Sequence, residues 1–190
     1  MPLQAPTLTS PRLVLRPWEK SDAQVLFTLA GDPIVGERAG WPPHQSLEES
    51  LEVIRNVFSN PTTWAIVWRE TGEVVGAIGY GPSCQCSLPV LEDEPLVGYW
   101  VGRRHWNKGI CSEALVTMIY HIRSSTSIAS LASGHFIDNP ASGRVMEKCG
   151  FTATGYVGVD PTLYKGEERP VRMLRLWLKR NETKSASHRS

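Results

Sequence analysis

The apolar positions of this chain switch between strand-like alternation and helix-like spacing, and each switch marks an element. Arg12-Leu13-Val14-Leu15-Arg16 reads as a first strand, stopped by Pro17. Ser21, with Gln24 three residues on, is a capping-box pattern that opens a short helix through Val25, Leu26 and Leu29 to Gly31. From Gly31 to Gln45, Gly and Pro recur and predict an ordered but irregular loop. Ser46 and Glu49 repeat the capping pattern. The helix after them carries Leu47, Leu51, Ile54, Val57 and Phe58 and ends before Asn60-Pro61. Thr63 to Trp68 and Val74 to Tyr80 are two strands joined by the hairpin signal Glu70-Thr71-Gly72-Glu73. Ser83 to Pro95 reads as a long loop.

The centre of the chain is a strand, Leu96 to Val101, then a short basic loop and a helix. From Gly109 onward, Ile110, Ala114, Leu115, Met118, Ile119 and Ile122 recur at helical spacing and form one apolar face. A loop rich in N–H groups that opens a helix is an anion site, because its amides point outward and the helix dipole favours negative charge. Gly109 permits close approach of a ligand, and Lys108, Arg103 and Arg104 add positive charge. A Gly and a Lys at such a junction also occur as a plain turn. The stretch is neither a Walker P-loop nor a dinucleotide-binding Gly-x-Gly-x-x-Gly. Downstream, a strand is predicted over Ile128 to His135. A helix follows, with Asn139 at its N-cap, Pro140 at its first position and Gly150 past its end. Gly155 to Val159 and Val171 to Leu178 form a closing hairpin, with Tyr164-Lys165-Gly166 near its turn. The order is β-α-α-β-β-β-α-β-α-β-β, an α/β chain whose mixed sheet carries helices on both faces.

At 190 residues the chain is long enough for one domain with a proper core. That domain is expected over residues 12–179, between an N-terminal extension (1–11) and a polar, frayed tail (180–190). A net charge of +1 argues against bulk binding to nucleic acid or an anionic membrane. No apolar run reaches membrane-spanning length and the N-terminus lacks the pattern of a signal peptide, so a cytoplasmic location is expected. Four cysteines suit that compartment. Cys84-Gln85-Cys86 lacks the second ligand pair zinc requires, so no metal is expected. Cys149 lies on the apolar face of its helix and reads as core. Glu92, Asp93 and Glu94 read as solvated, or as a local attraction for a cationic amine.

Two segments decide between the readings of the central loop. Trp106-Asn107-Lys108-Gly109-Ile110-Cys111, followed by Glu113-Ala114, and Asn139, Ser142, Glu147, Lys148, Gly150 and Phe151 together resemble the GNAT superfamily of N-acetyltransferases. Within it they are similar to the Rim-type branch, which acetylates N-terminal amines of ribosomal proteins. The resemblance runs from about Leu13 to Leu178. Two positions depart from the branch pattern: Asn107 stands for its first Gly and Cys111 for its Ala.

The resemblance implies a GNAT acyl-CoA N-acyltransferase fold with splayed central strands, and acetyl transfer from acetyl-CoA to a primary amine by direct attack through a tetrahedral intermediate. The pantetheine arm would pair with main-chain groups around Trp100, Val101 and Arg103, and the Val101 N–H would donate to the acetyl oxygen. The pyrophosphate would sit on amides of Asn107, Lys108, Gly109, Ile110 and Cys111, beside Trp106. Asn139 would cap its helix, hydrogen-bond the pantetheine, or do both. Ser142 would protonate or orient the CoA sulfur. Arg144 and Lys148 are surface charges that could reach the CoA phosphates. Trp41, His44 and Glu37 are candidates for acceptor contact; Glu37 and Tyr99 are suggestions for the general base, and Glu113 reads as structural. Cys111, at a helix N-terminus, would carry a lowered pKa and make CoA binding sensitive to thiol modification. The acceptor would be a peptide N-terminus, or alternatively a small amine or antibiotic, and the protein a monomer or homodimer. The rival readings are a CoA-binding module without catalysis and a nucleotide-binding α/β protein.

Overall fold

The computed structural model describes residues 4–82, 88–161, 166 and 168–178. Cys84, Cys86, Tyr164, Lys165 and the tail 180–190 lie outside the described residues. One mixed sheet of eight strands organises the rest. The strands are β1 (Leu8–Thr9), β2 (Leu13–Arg16), β3 (Thr63–Trp68), β4 (Val74–Gly81), β5 (Leu96–Val101), β6 (Ser130–Phe136), β7 (Thr152–Pro161) and β8 (Glu168–Trp177). Their spatial order is β1-β2-β3-β4-β5-β6-β8-β7, and every neighbouring pair is antiparallel except β5 with β6. The edge strand β1 was not legible in the sequence; its two residues pair with Val14 and Leu15.

Alternation along the strands sends side chains to two cores. Leu13, Leu15, Trp64, Ile66, Val97, Val101 and Leu131 pack under α4 (Ile110–Ser125) and α5 (Pro140–Lys148). Ala65, Val67, Val74 and Ala77 pack on the other face, under α1 (Ala23–Ala30) and the end of α3 (Leu47–Val53), which continues through a π-helical turn, Ile54–Phe58. The expected mixed sheet with helices on both faces is what forms.

Three local expectations are corrected. The first capping box belongs to Glu19 and Asp22, not to Ser21 and Gln24: the Glu19 N–H donates to the Asp22 carboxylate at 2.9 Å. Arg16 explains the shift, since it holds buried Asp22 in two bonds of 2.7 and 2.8 Å. The stretch from Gly31 to Gln45 contains a helix, α2 (Pro33–Ala39). Asp32 caps it by accepting from the Ile34 N–H, Pro33 is its first residue, and left-handed Gly40 ends it. Residues that read as breakers are its start and stop signals. Thirdly, Glu94 is buried and bonded to Arg175 at 2.6 and 2.9 Å, which ties the loop before β5 to β8. Glu92 and Asp93 are exposed, and none of the three carboxylates lines the central cleft. Among the described residues, no helix is long and apolar enough to cross a membrane.

Candidate active site

The sheet opens between β5 and β6. These strands share one register pair, Leu96 with Ala132. Ala132 N–H on the Pro95 carbonyl (3.0 Å) and Ser133 Oγ on the Val97 carbonyl (2.9 Å) close that end. Beyond it the strands part, and the gap widens into a cleft of about 1520 Å³ that reaches from α4 and α5 on one face to α1 and α2 on the other. Alternation decides which main-chain groups face the gap. Gly102 N–H donates to the Val75 carbonyl at 2.9 Å, so Gly98, Trp100 and Gly102 turn theirs toward β4 while Tyr99 and Val101 turn theirs toward the gap. The main-chain pairing expected of Trp100 therefore passes to Tyr99 and Val101. The Val101 carbonyl accepts from Trp106 Nε1 at 2.9 Å, which fixes the strand end and leaves the Val101 N–H as the donor directed at the gap.

After β5 a short turn, Arg103–His105, leads into the loop before α4. Asn107 (φ 60°) and Gly109 (φ 74°) are both left-handed, a conformation Asn adopts more readily than most residues. Gly109 has no side chain to cap α4, so the N–H groups of Ile110, Cys111 and Ser112 open that 16-residue helix uncapped, at residues that line the cleft. Aligned with the helix dipole, they suit the diphosphate of acetyl-CoA. Arg103 and Lys108 are exposed and do not line the cleft; Lys108 instead offers its carbonyl to Arg12 Nη1 at 3.0 Å. Glu113 accepts from Ser10 Oγ (2.7 Å), Arg12 N–H (2.9 Å) and Arg12 Nε (2.7 Å). Burial pushes its pKa up, but those donors outweigh it and hold the carboxyl below its usual range, as suits a clamp between α4 and β2.

Cys111 overturns the expectation of a reactive thiol. Its side chain packs against the core, and burial, helped by Cys149 nearby, pushes its pKa up to about 12. Cys149 packs there as core, its Sγ 3.5 Å from the Ser112 carbonyl.

Across the gap, the first turn of α5 presents Asn139 and Ser142 to the cleft. Asn139 holds the N-cap position but its side chain does not cap the helix; its Nδ2 donates to the Arg38 carbonyl on α2 at 3.0 Å. Arg38 returns the contact through Nη1 on the Asp138 carbonyl at 2.8 Å. Tyr99, on the α5 face of β5, donates its hydroxyl to the Ser142 carbonyl at 2.8 Å and lies 3.2 Å from Ser142 Oγ. Burial pushes the Tyr99 pKa far up, against the opposing effect of Ser142, so the phenol stays protonated and cannot serve as the base. Arg144 and Lys148 also line this side.

On the opposite face, Trp41 meets Trp100 edge-to-face at 5.3 Å, and His44 lines the cleft with them. Glu37 does not line it: its side chain is exposed, and its carbonyl accepts from Arg169 Nη1 at 2.5 Å. Arg169 also pairs with Asp138 at 2.6 Å and lies 3.8 Å over the Phe136 ring. Sequence reasoning missed Arg169, which joins β8, α2 and the β6–α5 connection from 132 positions away and belongs to no local motif.

A family profile described as an acetyltransferase (GNAT) domain matches residues 12–152. An uncharacterised N-acetyltransferase of Bacillus subtilis, YoaA, is 26% identical over 155 residues, covering 79% of this chain and 85% of that protein. The ribosomal-protein-serine acetyltransferase of Escherichia coli is 28% identical over 120 residues, covering 60% of this chain and 64% of that protein. The fold is shared with the crystal structure of a GNAT-family acetyltransferase from Bacillus anthracis, at a TM-score of 0.78 and 17% identity, over 91% of this chain and 99% of that one. A profile that matches residues 12–152, most of the sheet, shows the family: this chain belongs to the GNAT acetyltransferases and is an acetyl-CoA-dependent N-acetyltransferase.

Proposed function

We propose that the acceptor is a singly charged primary amine, such as a peptide N-terminus, bound on the α1–α2 face of the cleft. The observation that carries this is the lining of that face. Trp41, Trp100, Phe136, Val57 and Phe58 dominate it, and no Asp or Glu lines any part of the cleft among the described residues. A polyamine or aminoglycoside brings several cations, and each would be desolvated here without a partner. One ammonium that loses its proton before reaction makes no such demand. Likeness to the ribosomal-protein-serine acetyltransferase of Escherichia coli supports a protein acceptor. A small apolar amine fits the same lining and is the second reading.

Bound acetyl-CoA supplies an activated acetyl carbonyl, and the chain's own groups do the rest. Amides at the start of α4 hold the diphosphate. The Val101 N–H, fixed by Trp106, donates to the oxygen on which negative charge develops. Ser142 Oγ, steadied by Tyr99, delivers a proton to the leaving sulfur. The core-packed Cys111 removes one argument for a module that binds CoA without catalysis.

The test is CoA release from acetyl-CoA with ribosomal-protein N-terminal peptides, apolar monoamines, polyamines and aminoglycosides as acceptors. Turnover on a peptide or monoamine that is lost in Ser142→Ala supports the proposal. Preferred turnover of a polyamine or aminoglycoside refutes the acceptor assignment. Binding of acetyl-CoA with no turnover on any amine counts against the whole reading.

A further inference from the structure

We infer that His44 takes the proton from the acceptor amine before it attacks, an assignment that rests on the acetyl-transfer reading above. The reaction needs such a group, because a primary amine arrives as ammonium and only the neutral form has a lone pair. The loop that carries His44 connects α2 to α3 and is pinned to α1 and α3. Its main-chain N–H donates to the Ala30 carbonyl on α1 at 3.2 Å, and its Nδ1 lies 2.8 Å from Ser50 Oγ on α3.

Ser50 fits one tautomer. Its hydroxyl has one hydrogen, which it can give to the Ser46 carbonyl at 3.2 Å or to His44 Nδ1 at 2.8 Å. With that hydrogen on the Ser46 carbonyl, Nδ1 of His44 donates in the 2.8 Å contact and Nε2 keeps its lone pair, which is the arrangement the inference assigns. Among the described residues Nε2 has no hydrogen-bond partner, and the ring lines the acceptor side of the cleft with Trp41 and Trp100. Burial lowers the pKa of His44, opposed by the charge of Glu49 on α3, so the imidazole is neutral at neutral pH. The other charged group in the cleft from this side is Arg38 on α2, a cation held to the Asp138 carbonyl.

The remaining titratable groups of the cleft are each disqualified. Arg38, Arg144 and Lys148 are cations without a lone pair to offer. Burial raises the pKa of Tyr80, Tyr99 and Cys111, and all three pack on the α4–α5 face. His105 Nε2 already accepts from Arg104 Nε at 3.0 Å. His135 shares its face of β6 with Leu131, under α5, and its ring lies against Gly143: a Cβ there would fall 2.6 Å from Nε2. That nitrogen is covered by the cofactor-side helix.

The proton balance is complete. The ammonium gives one proton to Nε2, and the amine nitrogen forms the C–N bond. As the C–S bond breaks the sulfur takes up a proton through Ser142, matched by the second proton that nitrogen loses on becoming an amide. His44 then returns its proton to solvent.

The test has one arm independent of turnover. In the free protein, nitrogen-15 NMR of the histidine rings is expected to show His44 as the Nδ1–H tautomer, titrating below an ordinary histidine, with the signature altered in Ser50→Ala. An Nε2–H tautomer overturns the inference. In the second arm, His44→Gln keeps a hydrogen-bonding side chain, and its melting and acetyl-CoA affinity are expected to match the wild type. Its kcat is expected to fall about 100-fold at pH 7 and to recover toward the wild type near pH 9, where the amine deprotonates unaided. Wild-type turnover with His44→Gln equally active and its pH profile unmoved overturns the base and leaves acetyl transfer standing. No wild-type turnover on any amine overturns both.

Discussion

Tyr99→Phe removes one oxygen and nothing else, and the site geometry sets what that oxygen is worth. The phenol donates to the Ser142 carbonyl at 2.8 Å, and Ser142 Oγ lies 3.2 Å from it. A net intramolecular hydrogen bond contributes about 1 kcal/mol, so unfolding in urea should show a loss of about that size. For catalysis the second contact matters more. Without the phenol, Ser142 Oγ distributes over its staggered rotamers, and selecting one of three costs about 0.7 kcal/mol. Adding the lost hydrogen bond gives about 1 to 2 kcal/mol, or about a 5- to 30-fold drop in kcat at saturating acetyl-CoA. The affinity for acetyl-CoA should hardly change, because the diphosphate site at the start of α4 is untouched. Since Tyr99 acts through Ser142, adding Tyr99→Phe to Ser142→Ala should cost little further, and a double-mutant cycle reads this directly. Independent, multiplying losses would show that the phenol reaches the substrate itself and would refute the relay.

Three further predictions rest on two buried groups. With a pKa pushed to about 12, Cys111 is thiolate in about one molecule in 10⁴ at pH 8, so iodoacetamide should label it, by site-resolved mass spectrometry, about 10³-fold more slowly than in the unfolded chain; rapid labelling blocked by CoA would restore the reactive-thiol expectation. Arg175→Met leaves the Glu94 carboxylate buried without its partner and should destabilise the protein by about 3 to 5 kcal/mol in urea at pH 7. Burial alone would raise the Glu94 pKa, but bonds from Arg175, the Leu91 N–H and Ser130 lower it below the ordinary carboxylate value of 4.5. The stability it contributes is therefore present above pH 4.5 and lost as pH falls through the lower folded value, and Glu94→Gln should flatten that acid limb.

Much of the cofactor side was legible because it is built from contiguous residues. Gly109 and Asn107 encode left-handed backbone locally, Ile110 to Ile122 encode an amphipathic helix, and Pro140 and Gly150 start and stop α5. Such signals survive in a sequence because one residue and its neighbours suffice to produce the conformation. Failures came where a distant partner overrode a local preference. Asn139 carries the capping residue type, but the Arg38 carbonyl takes its amide. Glu94 looks solvated in an acidic run, but Arg175 buries it from 81 positions away. Cys111 sits where a dipole would acidify a thiol, but the core desolvates it. The helix α2 is hidden for another reason: Pro33 and Gly40 read as breakers, although the order Asp32, Pro33, Gly40, cap then proline then glycine, spells a helix.

That difference divides the enzyme's two recognition tasks. In the proposed reading acetyl-CoA is held by main chain, from Tyr99, Val101 and the start of α4, and main chain varies little when side chains are exchanged. In the same reading the acceptor meets side chains of α2 and of the connection to α3, where Arg38, Trp41 and His44 line the cleft. Two of the contacts that place them come from far along the chain, Arg169 on the Glu37 carbonyl and Asn139 on the Arg38 carbonyl, and the third, Ser50 on His44, from the next helix. One strand, β5, separates the tasks, with Val101 and Tyr99 facing the α4–α5 side and Trp100 between them facing the other. Substitutions in α2 can therefore change which amine is accepted while leaving acetyl-CoA affinity where it was. Substitutions at Trp100 cannot separate the two so cleanly, because its neighbours on either side carry the gap-facing amides.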